Sequence, residues 1–441
     1  MKVKKTNSLC VGINGRHVGV FERQGATHSF TYDNDWLASE DSHAISLSMP
    51  ITMHRHTGDK VRFYFDNLLP DDNEVRKLIV DRVGAYSVDT MDLLNVIGRD
   101  CVGSLSLTQE PVSGLEKPEM IAMNEQDIAD HLRNTARRKT LGMDSDDVFR
   151  ISIAGAQEKT ALTYKDGNWY RPIGTTPTTH IFKLPLANLG NELELNNSVD
   201  NEWFCLRLLR HLGFSAANAE IATFENQKVL VIERFDRDEG SDGNIYRLTQ
   251  EDMCQALGAS GQSKYEANGS PGAEEISNLL KYSKYNDNDT YEFFSAQYAF
   301  WLMMAIDGHA KNFSVYIDHT GYWMTPLYDV LSVHPFKDQF KRRQLKMAMR
   351  VQSKNSHYIW SDIQQRHWLT HATKTGLNQD IAAAYIREVN SRLEGAIAQT
   401  FSDADRQFDQ TTGEIIAEGI LAKLNTSYNC LIKGEVDSLN L

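Results

Sequence analysis

The segment YEFFSAQYAFWLMMAI, residues 291–306, limits the architecture more than any other part of the sequence. It is apolar on nearly all faces of a helix, and such a helix is stable only when it is buried. We therefore predict a central helix inside a larger body. With 441 residues, the chain is long enough for two or three domains, each with its own core.

Strand patterns and helix patterns fall in different parts of the chain. Residues 1–110 are expected to form an N-terminal α+β subdomain, and 111–145 a polar connector with one surface helix. Residues 146–257 are rich in strand patterns, and 258–441 are mainly helical. Within the latter, the Gly/Ser-rich segment 258–275 is expected to be a mobile or functional loop. The predicted fold class is α+β, with a sheet-rich lobe, a helical lobe and a cleft between them.

Turn and cap residues predict several element boundaries. Asn-Gly and Asp-Gly pairs, which favour tight hairpins, occur at 14–15 and 166–167. The residues Pro70, Asp71 and Asp72 precede an apolar-periodic segment and together indicate a helix start. Ser198 is the expected N-cap of a further helix.

Composition excludes several classes of protein. The net charge of −13 and pI near 5.6 argue against independent binding to nucleic acid. The basic run at 341–350 is interpreted as a solvated charge cluster, with a surface for an acidic partner or substrate as the alternative. The five cysteines are scattered without metal-ligand spacing. No apolar stretch is long enough for a membrane helix, and the first residues lack a signal-type apolar core. We expect a cytoplasmic protein without a membrane partner.

Two carboxylates and an amide follow the central helix in a distinctive order. Asp307 comes first, Asn312 follows five residues later, and Asp329 comes after a predicted hairpin that turns at 319–321. Protein kinases use a catalytic Asp, an Asn at this spacing and a second, metal-binding Asp after a hairpin. Carboxylate oxygens are ligands that Mg²⁺ prefers. The order favours a magnesium-nucleotide site, although each residue alone fits ordinary turn chemistry.

Lys183 lies inside an apolar strand, where lysine is uncommon. It fits either an edge-strand lysine that extends to solvent or a lysine that pairs with nucleotide phosphates. Glu202, nineteen residues on, fits either its ion-pair partner or a solvent-facing charge. Upstream, SIAGAQEKT at 152–160 is a small-residue turn that matches neither common glycine-rich phosphate motif, so a simple tight turn is its alternative reading.

Other kinds of catalytic site find little support. No H-E-x-x-H motif and no Cys/His cluster indicates zinc, and no G-x-S-x-G motif indicates a serine hydrolase. The strand VLVIERF at 229–235 ends where kinases keep the hinge that binds adenine through backbone groups, although a plain sheet strand would look the same.

Eight blocks of sequence, in order, resemble the HipA family of bacterial toxin kinases. The blocks are FDNLLPD (65–71), IGRDCVGSL (97–105), FRISIAGAQEKTAL (149–162), TPTTHIFKLP (176–185), SVDNE (198–202), ERFDR (233–237), QEDMCQALG (250–258) and DGHAKNFSV (307–315). The resemblance implies a two-lobed, protein-kinase-like core with an N-terminal subdomain, and a serine/threonine protein kinase activity that depends on ATP and Mg²⁺.

The resemblance also implies roles for individual residues. It implies Asp307 as the catalytic residue, Asn312 and Asp329 as Mg²⁺ ligands, and Ser152 as an autophosphorylation site that switches the kinase off. A phosphate there would bring about −1.5 to −2 charges to a site built for anionic ATP. The implied ATP contacts are Ala154, Gly155, Ala156, Gln157, Glu158, Lys159, Lys183, Glu233, Arg234, Phe235, His309, Ala310, Lys311, Asn312, Tyr328 and Asp329.

The family's biology implies the partners. The resemblance implies a HipB-type helix-turn-helix antitoxin dimer, an operator DNA reached mainly through that dimer, and a protein substrate in the translation machinery, such as an aminoacyl-tRNA synthetase. Growth arrest, persistence and repression of the operon are the implied outcomes. In the stretch 367–379, only Lys374 is a clear candidate for direct DNA contact.

Two other functions stay open at this stage. The D-x-H-x-x-N pattern also resembles the catalytic turn of phosphoinositide kinases, so a lipid or small-molecule kinase is one alternative. An acidic chain without a basic or amphipathic membrane surface is a poor fit to a lipid kinase. A catalytically silent scaffold of a repressor complex is the other alternative, and the intact Asp307, Asn312, Asp329 and Lys183 argue against it.

Overall fold

The computed structural model describes residues 3–115, 117–137, 151–152, 157–186 and 197–438, without the side chains of 137, 151–152 and 427–438. The chain divides into two units. The first comprises Met1–Leu184, Thr223–Ser263 and Ser314–Thr325, and the second comprises Pro185–Ala222, Lys264–Phe313 and Pro326–Leu441. Each unit is therefore built from separate stretches of sequence. The fourfold division expected from the sequence stays a prediction.

The first unit begins with an antiparallel five-stranded sheet and its helices. In sheet order the strands are Arg55–Thr57, Thr27–Tyr32, Arg16–Gln24, Ser8–Ile13 and Leu105–Thr108. The helices are Asn34–Leu37, Asp59–Asp66, Asn73–Val83 and Thr90–Ile97. Phe21 and Phe65 stack at 3.9 Å in the core between sheet and helices. The predicted α+β character of this region is confirmed.

Two local predictions in this region are also confirmed. The hairpin turns at Asn14 and Gly15, whose φ values of 46° and 77° are both left-handed. The Asp72 carboxylate accepts the backbone N–H of Glu74 at 2.7 Å and caps the helix that follows.

A six-stranded sheet continues the first unit. Its order is Ala219–Phe224, Gln227–Glu233, His180–Lys183, Lys159–Lys165, Asn168–Ile173 and Glu119–Met123. The Asp166-Gly167 hairpin and the Lys183 strand are as predicted. The segment expected to be a connector also supplies an edge strand, Glu119–Met123, ahead of its helix Glu125–Arg137. Its residues are mostly exposed, so they lack the apolar alternation that predicts a strand.

Smaller elements complete the first unit. Asp100–Cys101 pairs in parallel with Ile151–Ser152, and Arg237–Glu239 pairs with Ile245–Arg247. A three-stranded sheet has the order Gln250–Asp252, Ser314–Asp318 and Gly321–Met324. Two short helices, Met253–Ala256 and Gly261–Ser263, follow its first strand in the sequence. The last two strands form the predicted hairpin between Asn312 and Asp329.

The second unit is mainly helical. Its α-helices are Ser198–His211, Ala273–Leu280, Asn286–Leu302, Gln365–Lys374, Gln379–Asp403 and Gln410–Ser438. Its 3₁₀ turns are Glu266–Asn268, Ala310–Asn312, His334–Gln339, Arg342–Gln344 and Trp360–Asp362, and one hairpin joins Lys346–Gln352 to Ser356–Ile359. Among the described residues, no helix is long and apolar enough to cross a membrane.

The predicted central helix is confirmed, with different ends. It runs from Asn286 to Leu302, packs against Ala273–Leu280 and Gln379–Asp403, and leaves Trp301 fully buried. It begins earlier than its apolar run because a polar first turn with acidic side chains suits the positive end of the helix dipole.

The predicted cap of the Ser198–His211 helix is wrong. Asn197 is the N-cap, and Ser198 is the first helical residue. The Ser198 hydroxyl instead accepts the backbone N–H of Leu186 at 2.8 Å, a contact that fixes the chain entering the helix.

Candidate active site

Asp307 follows the C-terminal end of the central helix. Beyond Leu302, Met304 takes a left-handed conformation, with φ of 51°, and the chain leaves the buried helix. The Asp307 side chain is 57% exposed. A pocket in the second unit is lined by Phe300, Ala305, Asp307, Gly308, Asp329, Val330 and Leu331. Both predicted carboxylates therefore line one pocket.

Asn312 connects the two segments that carry these carboxylates. Its side-chain nitrogen donates to the main-chain oxygen of Asp307 at 3.0 Å and to that of Asp329 at 3.5 Å. Because both acceptors are carbonyl oxygens, the NH₂ group must face them, and the amide oxygen is the atom left to bind a cation. The Asp-Asn-Asp order in the sequence thus corresponds to a closed arrangement in space.

Asp329 has an uncommon backbone conformation. Its φ of 58° lies in the left-handed region, which costs free energy for residues with a side chain. Such conformations cluster at functional sites. The preceding Tyr328 donates its hydroxyl to the main-chain oxygen of Lys311 at 2.8 Å. The segment with Asp329 is therefore held to the turn Ala310–Asn312 by two side chains, Tyr328 and Asn312.

His309 is buried beside Asp307, with its Nε2 atom 3.9 Å from Asp307 Oδ2. Burial lowers the pKa of His309, and the nearby Asp307 carboxylate only partly opposes this effect. The ring is therefore neutral at neutral pH. It therefore contributes no positive charge beside Asp307.

Sequence reasoning missed one residue at this site. The Tyr265 hydroxyl donates to Asp307 Oδ1 at 2.6 Å. Tyr265 belongs to the segment expected to be a mobile or functional loop, and its neighbours form short helical turns. The tyrosine and the aspartate are 42 residues apart, so no local pattern links them.

The first unit holds the predicted phosphate-binding residues. Lys183 and Lys159 are direct partners on neighbouring antiparallel strands, and Lys183 is only 5% exposed. Beside them, Gln157 donates to the Leu184 carbonyl at 2.6 Å and the Glu158 carbonyl accepts the Leu184 N–H at 3.1 Å.

Part of the predicted turn lies outside the described residues. This is the case for Ala154, Gly155 and Ala156. For Ser152, only the backbone is described, where it pairs with Cys101. The roles assigned to these four residues stay predictions.

The predicted hinge residues have different surroundings. Glu233 is exposed at the end of its strand, opposite His180. The Phe235 carbonyl accepts the Tyr316 hydroxyl at 2.7 Å. The Arg234 backbone N–H donates to Thr179 at 2.8 Å, and its side chain is buried in an ion-pair network.

That network joins distant parts of the first unit. Asp100 lies 2.9 Å from Arg237, 3.0 Å from Arg247 and 3.5 Å from Arg234. Asp236 pairs with Arg234 and Arg237 at 2.7 and 3.0 Å. Burial opposes ionisation of Asp100, but the three guanidinium groups outweigh it and hold the pKa of Asp100 well below its usual range. The Arg234 side chain therefore has a structural role.

Two further predicted residues belong to the second unit. Glu202 is 1% exposed on the helix Ser198–His211, so the alternative of a solvent-facing charge is wrong. Its pairing with Lys183, which belongs to the first unit, stays a prediction. Lys374 is exposed at the end of the helix Gln365–Lys374.

The ligand set fits a magnesium ion that arrives with a nucleotide. Within the described parts of the chain, no three His, Cys, Asp or Glu side chains form a metal-binding group. Magnesium needs no such group, because it commonly takes one or two protein ligands and completes its shell with phosphate and water oxygens. Asp329 and the amide oxygen of Asn312 suit that arrangement.

Comparison with known proteins identifies the family. The model of the HipA-like C-terminal domain matches residues 151–397, and that of the HipA N-terminal domain matches residues 9–108. The chain belongs to the HipA family.

Relatives of this HipA-family chain match it over nearly its whole length. It is 30% identical over 403 residues to the protein named as kinase Y4mE in Sinorhizobium fredii. The match covers 90% of this chain and 92% of the relative. It is 25% identical over 419 residues to the serine/threonine-protein kinase toxin HipA of Shewanella oneidensis, covering 90% of each.

A solved structure shares the fold of this HipA-family chain. It is the Shewanella oneidensis HipA in complex with HipB and operator DNA, with a TM-score of 0.79 and 21% identity. The match covers 96% of this chain and 97% of that one. The fold is therefore that of HipA, a mixed α+β fold as predicted.

Proposed function

We propose that this chain is a serine/threonine protein kinase that uses ATP and Mg²⁺, and the toxin of a toxin–antitoxin pair. The observation that carries the proposal is the Asn312 amide, which holds Asp307 and Asp329 by their main-chain oxygens. Turn formation alone does not require two carboxylates to line the same pocket.

Each residue has a role in phosphoryl transfer. Asp307, whose side chain is partly exposed, accepts the proton of the attacking hydroxyl. The amide oxygen of Asn312 and the carboxylate of Asp329 hold the magnesium ion, which neutralises charge on the phosphates when bound. Lys159 and Lys183, which lie opposite one another on neighbouring strands, would hold phosphate oxygens through their side-chain ammonium groups.

The proposed partners follow from the relatives. A HipB-type helix-turn-helix dimer would hold the toxin and connect it to operator DNA, and the similar Shewanella oneidensis structure contains HipA, HipB and operator DNA. The chain's net charge of −13 favours DNA contact through that partner, with Lys374 as the candidate for a direct contact. The proposed substrate is a protein of the translation machinery, such as an aminoacyl-tRNA synthetase. Its phosphorylation would arrest growth, with persistence as the outcome, and autophosphorylation at Ser152 would end the activity.

Intact-mass and phosphopeptide analysis after incubation with Mg-ATP tests the activity. We expect one phosphate on Ser152 in the wild-type chain and none in Asp307→Asn, because loss of the base should cost roughly 10²- to 10⁴-fold in rate. Asp338→Asn, at an exposed carboxylate in the same unit, is the matched control and should behave as wild type.

The other outcomes separate the alternatives. Consumption of ATP with no phosphate on the protein would favour a small-molecule kinase. If the chain neither consumes ATP nor acquires a phosphate, the remaining explanation is a scaffold of a repressor complex. In cells, induced expression should arrest growth, and Asp307→Asn or co-expression of the antitoxin should relieve the arrest.

A further inference from the structure

The Tyr265 hydroxyl contacts the carboxylate that the proposed reaction uses as its base. It donates to Asp307 Oδ1 at 2.6 Å, within the second unit. Burial, and then the Asp307 charge, raises the pKa of Tyr265 above its usual value. The phenol is therefore protonated at neutral pH, and it acts as the donor in this hydrogen bond.

Neighbouring groups fix the position of the tyrosine. The next residue, Glu266, accepts the backbone N–H of Arg350 at 2.6 Å and pairs with the Arg350 guanidinium at 3.0 Å. The Tyr265 ring packs edge-on against His309, with centroids 5.8 Å apart. Arg350 lies on the strand Lys346–Gln352, so the segment carrying Tyr265 is fastened to a regular element of the unit.

A substrate hydroxyl needs the same place. In phosphoryl transfer to a protein, the acceptor hydroxyl donates a hydrogen bond to the catalytic aspartate before it attacks. In this structure the Tyr265 hydroxyl makes that bond. Only one hydroxyl can donate to Oδ1 in this direction, while the other oxygen, Oδ2, faces the buried His309 ring at 3.9 Å.

We infer that Tyr265 occupies the acceptor position of the kinase, so that a protein substrate must displace its hydroxyl from Asp307 before transfer. The inference rests on the proposed function and adds to it the residue that controls acceptor binding. This makes the kinase selective among protein acceptors. An acceptor binds only if its own contacts offset the loss of the Tyr265–Asp307 hydrogen bond and of the neighbouring contacts.

Steady-state kinetics of Tyr265→Phe test this inference. A suitable probe is a synthetic peptide of residues 146–159, DDVFRISIAGAQEK, whose only hydroxyl belongs to Ser152. Removing one competing hydrogen bond should lower KM for the peptide about threefold to tenfold. The KM for ATP and the value of kcat should stay within about twofold of wild type, since no group that binds the nucleotide changes.

Two further variants sharpen the test. Tyr282→Phe removes a hydroxyl from an 82% exposed tyrosine of the same unit and should leave all constants unchanged. Arg350→Gln removes the guanidinium that pairs with Glu266 but keeps Tyr265 and the hydrogen bond from the backbone N–H of residue 350, and it should also lower KM for the peptide because the segment is then less firmly placed.

Each result supports or overturns the inference. A lower KM for the peptide in both Tyr265→Phe and Arg350→Gln supports the inference. Transfer to the peptide by Tyr265→Phe when the wild-type chain shows none also supports it. A fall in kcat at unchanged KM would instead make Tyr265 a positioning residue for Asp307, and a phosphate on Tyr265 would make it a substrate. Constants equal to wild type would overturn the inference and leave the proposed kinase intact. If neither the wild-type chain nor Tyr265→Phe transfers phosphate to the peptide or to itself, both the inference and the proposed kinase function are overturned.

Discussion

The side-chain nitrogen of Asn312 lies 3.0 Å from the main-chain oxygen of Asp307 and donates a hydrogen bond to it. The same nitrogen contacts the Asp329 carbonyl, so one side chain determines where two carboxylate-bearing segments lie. Its oxygen is then directed away from both carbonyls. A single residue thereby shapes the backbone of the site, and its oxygen is the atom that the proposed function assigns to magnesium.

Replacing Asn312 should affect activity and stability together. Asn312→Ala removes two hydrogen bonds from a buried amide, which should lower the free energy of unfolding by roughly 1–2 kcal/mol. Loss of the oxygen ligand should lower kcat at least about 100-fold. Asn288→Ala, at an exposed helix position, is the control. Urea denaturation and ATP-dependent phosphorylation measure the two effects, and unchanged kcat would exclude Asn312 as a ligand.

Lys183→Met should weaken nucleotide binding, and a thermal shift assay can measure this effect without any turnover. Saturating Mg-ATP raises the melting temperature of a protein that binds it in the folded state. Loss of a charged contact to phosphate should weaken the affinity roughly 10- to 100-fold. The ATP-induced shift should therefore shrink at a fixed, subsaturating ATP concentration. The exposed Lys354→Met should show the full shift. A full shift in Lys183→Met would mean that this lysine is not a phosphate ligand.

Acidification should destabilise the protein through His371. Burial, and then the charge of Arg350, lowers the pKa of His371 from 6.5 to about 4. Between these two pKa values the unfolded chain binds a proton that the folded chain does not, so stability falls as the pH falls. This one residue should account for about 2 kcal/mol between pH 7 and pH 5.

The variant His371→Gln isolates that contribution. Its side-chain oxygen can still accept the Gln352 N–H, which lies 3.1 Å from Nδ1 in the wild type. Denaturation with urea at several pH values should show a shallower acid dependence in this variant than in wild type. His319→Gln, at an exposed histidine, should keep the wild-type dependence. Equal slopes in all three proteins would contradict the prediction.

Neutralising Asp100 should be strongly destabilising. Asp100→Asn leaves the guanidinium groups of Arg234, Arg237 and Arg247 buried with less compensating charge. Breaking a buried ion pair on one side typically costs about 3–5 kcal/mol. Asp41→Asn, which removes an exposed partner of Arg16, should cost about 1 kcal/mol at most. Thermal melts of both variants compare the two costs, and similar values would show that the network contributes little.

Patterns within short stretches of sequence predicted much of the fold. The alternation around Asn14-Gly15 identified a hairpin, and the apolar run at 291–306 identified the central helix, because both depend on residues close in sequence. The Asp307, Asn312 and Asp329 order placed two carboxylates at one pocket, since the intervening hairpin returns the chain to its starting point.

Contacts between distant residues could not be predicted in this way. Asp100 and Arg237 are 137 residues apart, and neither has a neighbour pattern that indicates burial. The Tyr265 contact with Asp307 is of the same kind. Such pairs are determined by tertiary packing, which a single sequence expresses only through the complete fold.

The left-handed backbone of Asp329 has a consequence for laboratory evolution of this protein. Glycine adopts a φ of 58° without steric cost, whereas aspartate pays some of that cost, and in the proposed reaction its charge holds magnesium. Position 329 therefore sets two objectives against each other. A selection for heat resistance alone would enrich Asp329→Gly and accumulate inactive variants, whereas a selection that also demands growth arrest would retain the aspartate.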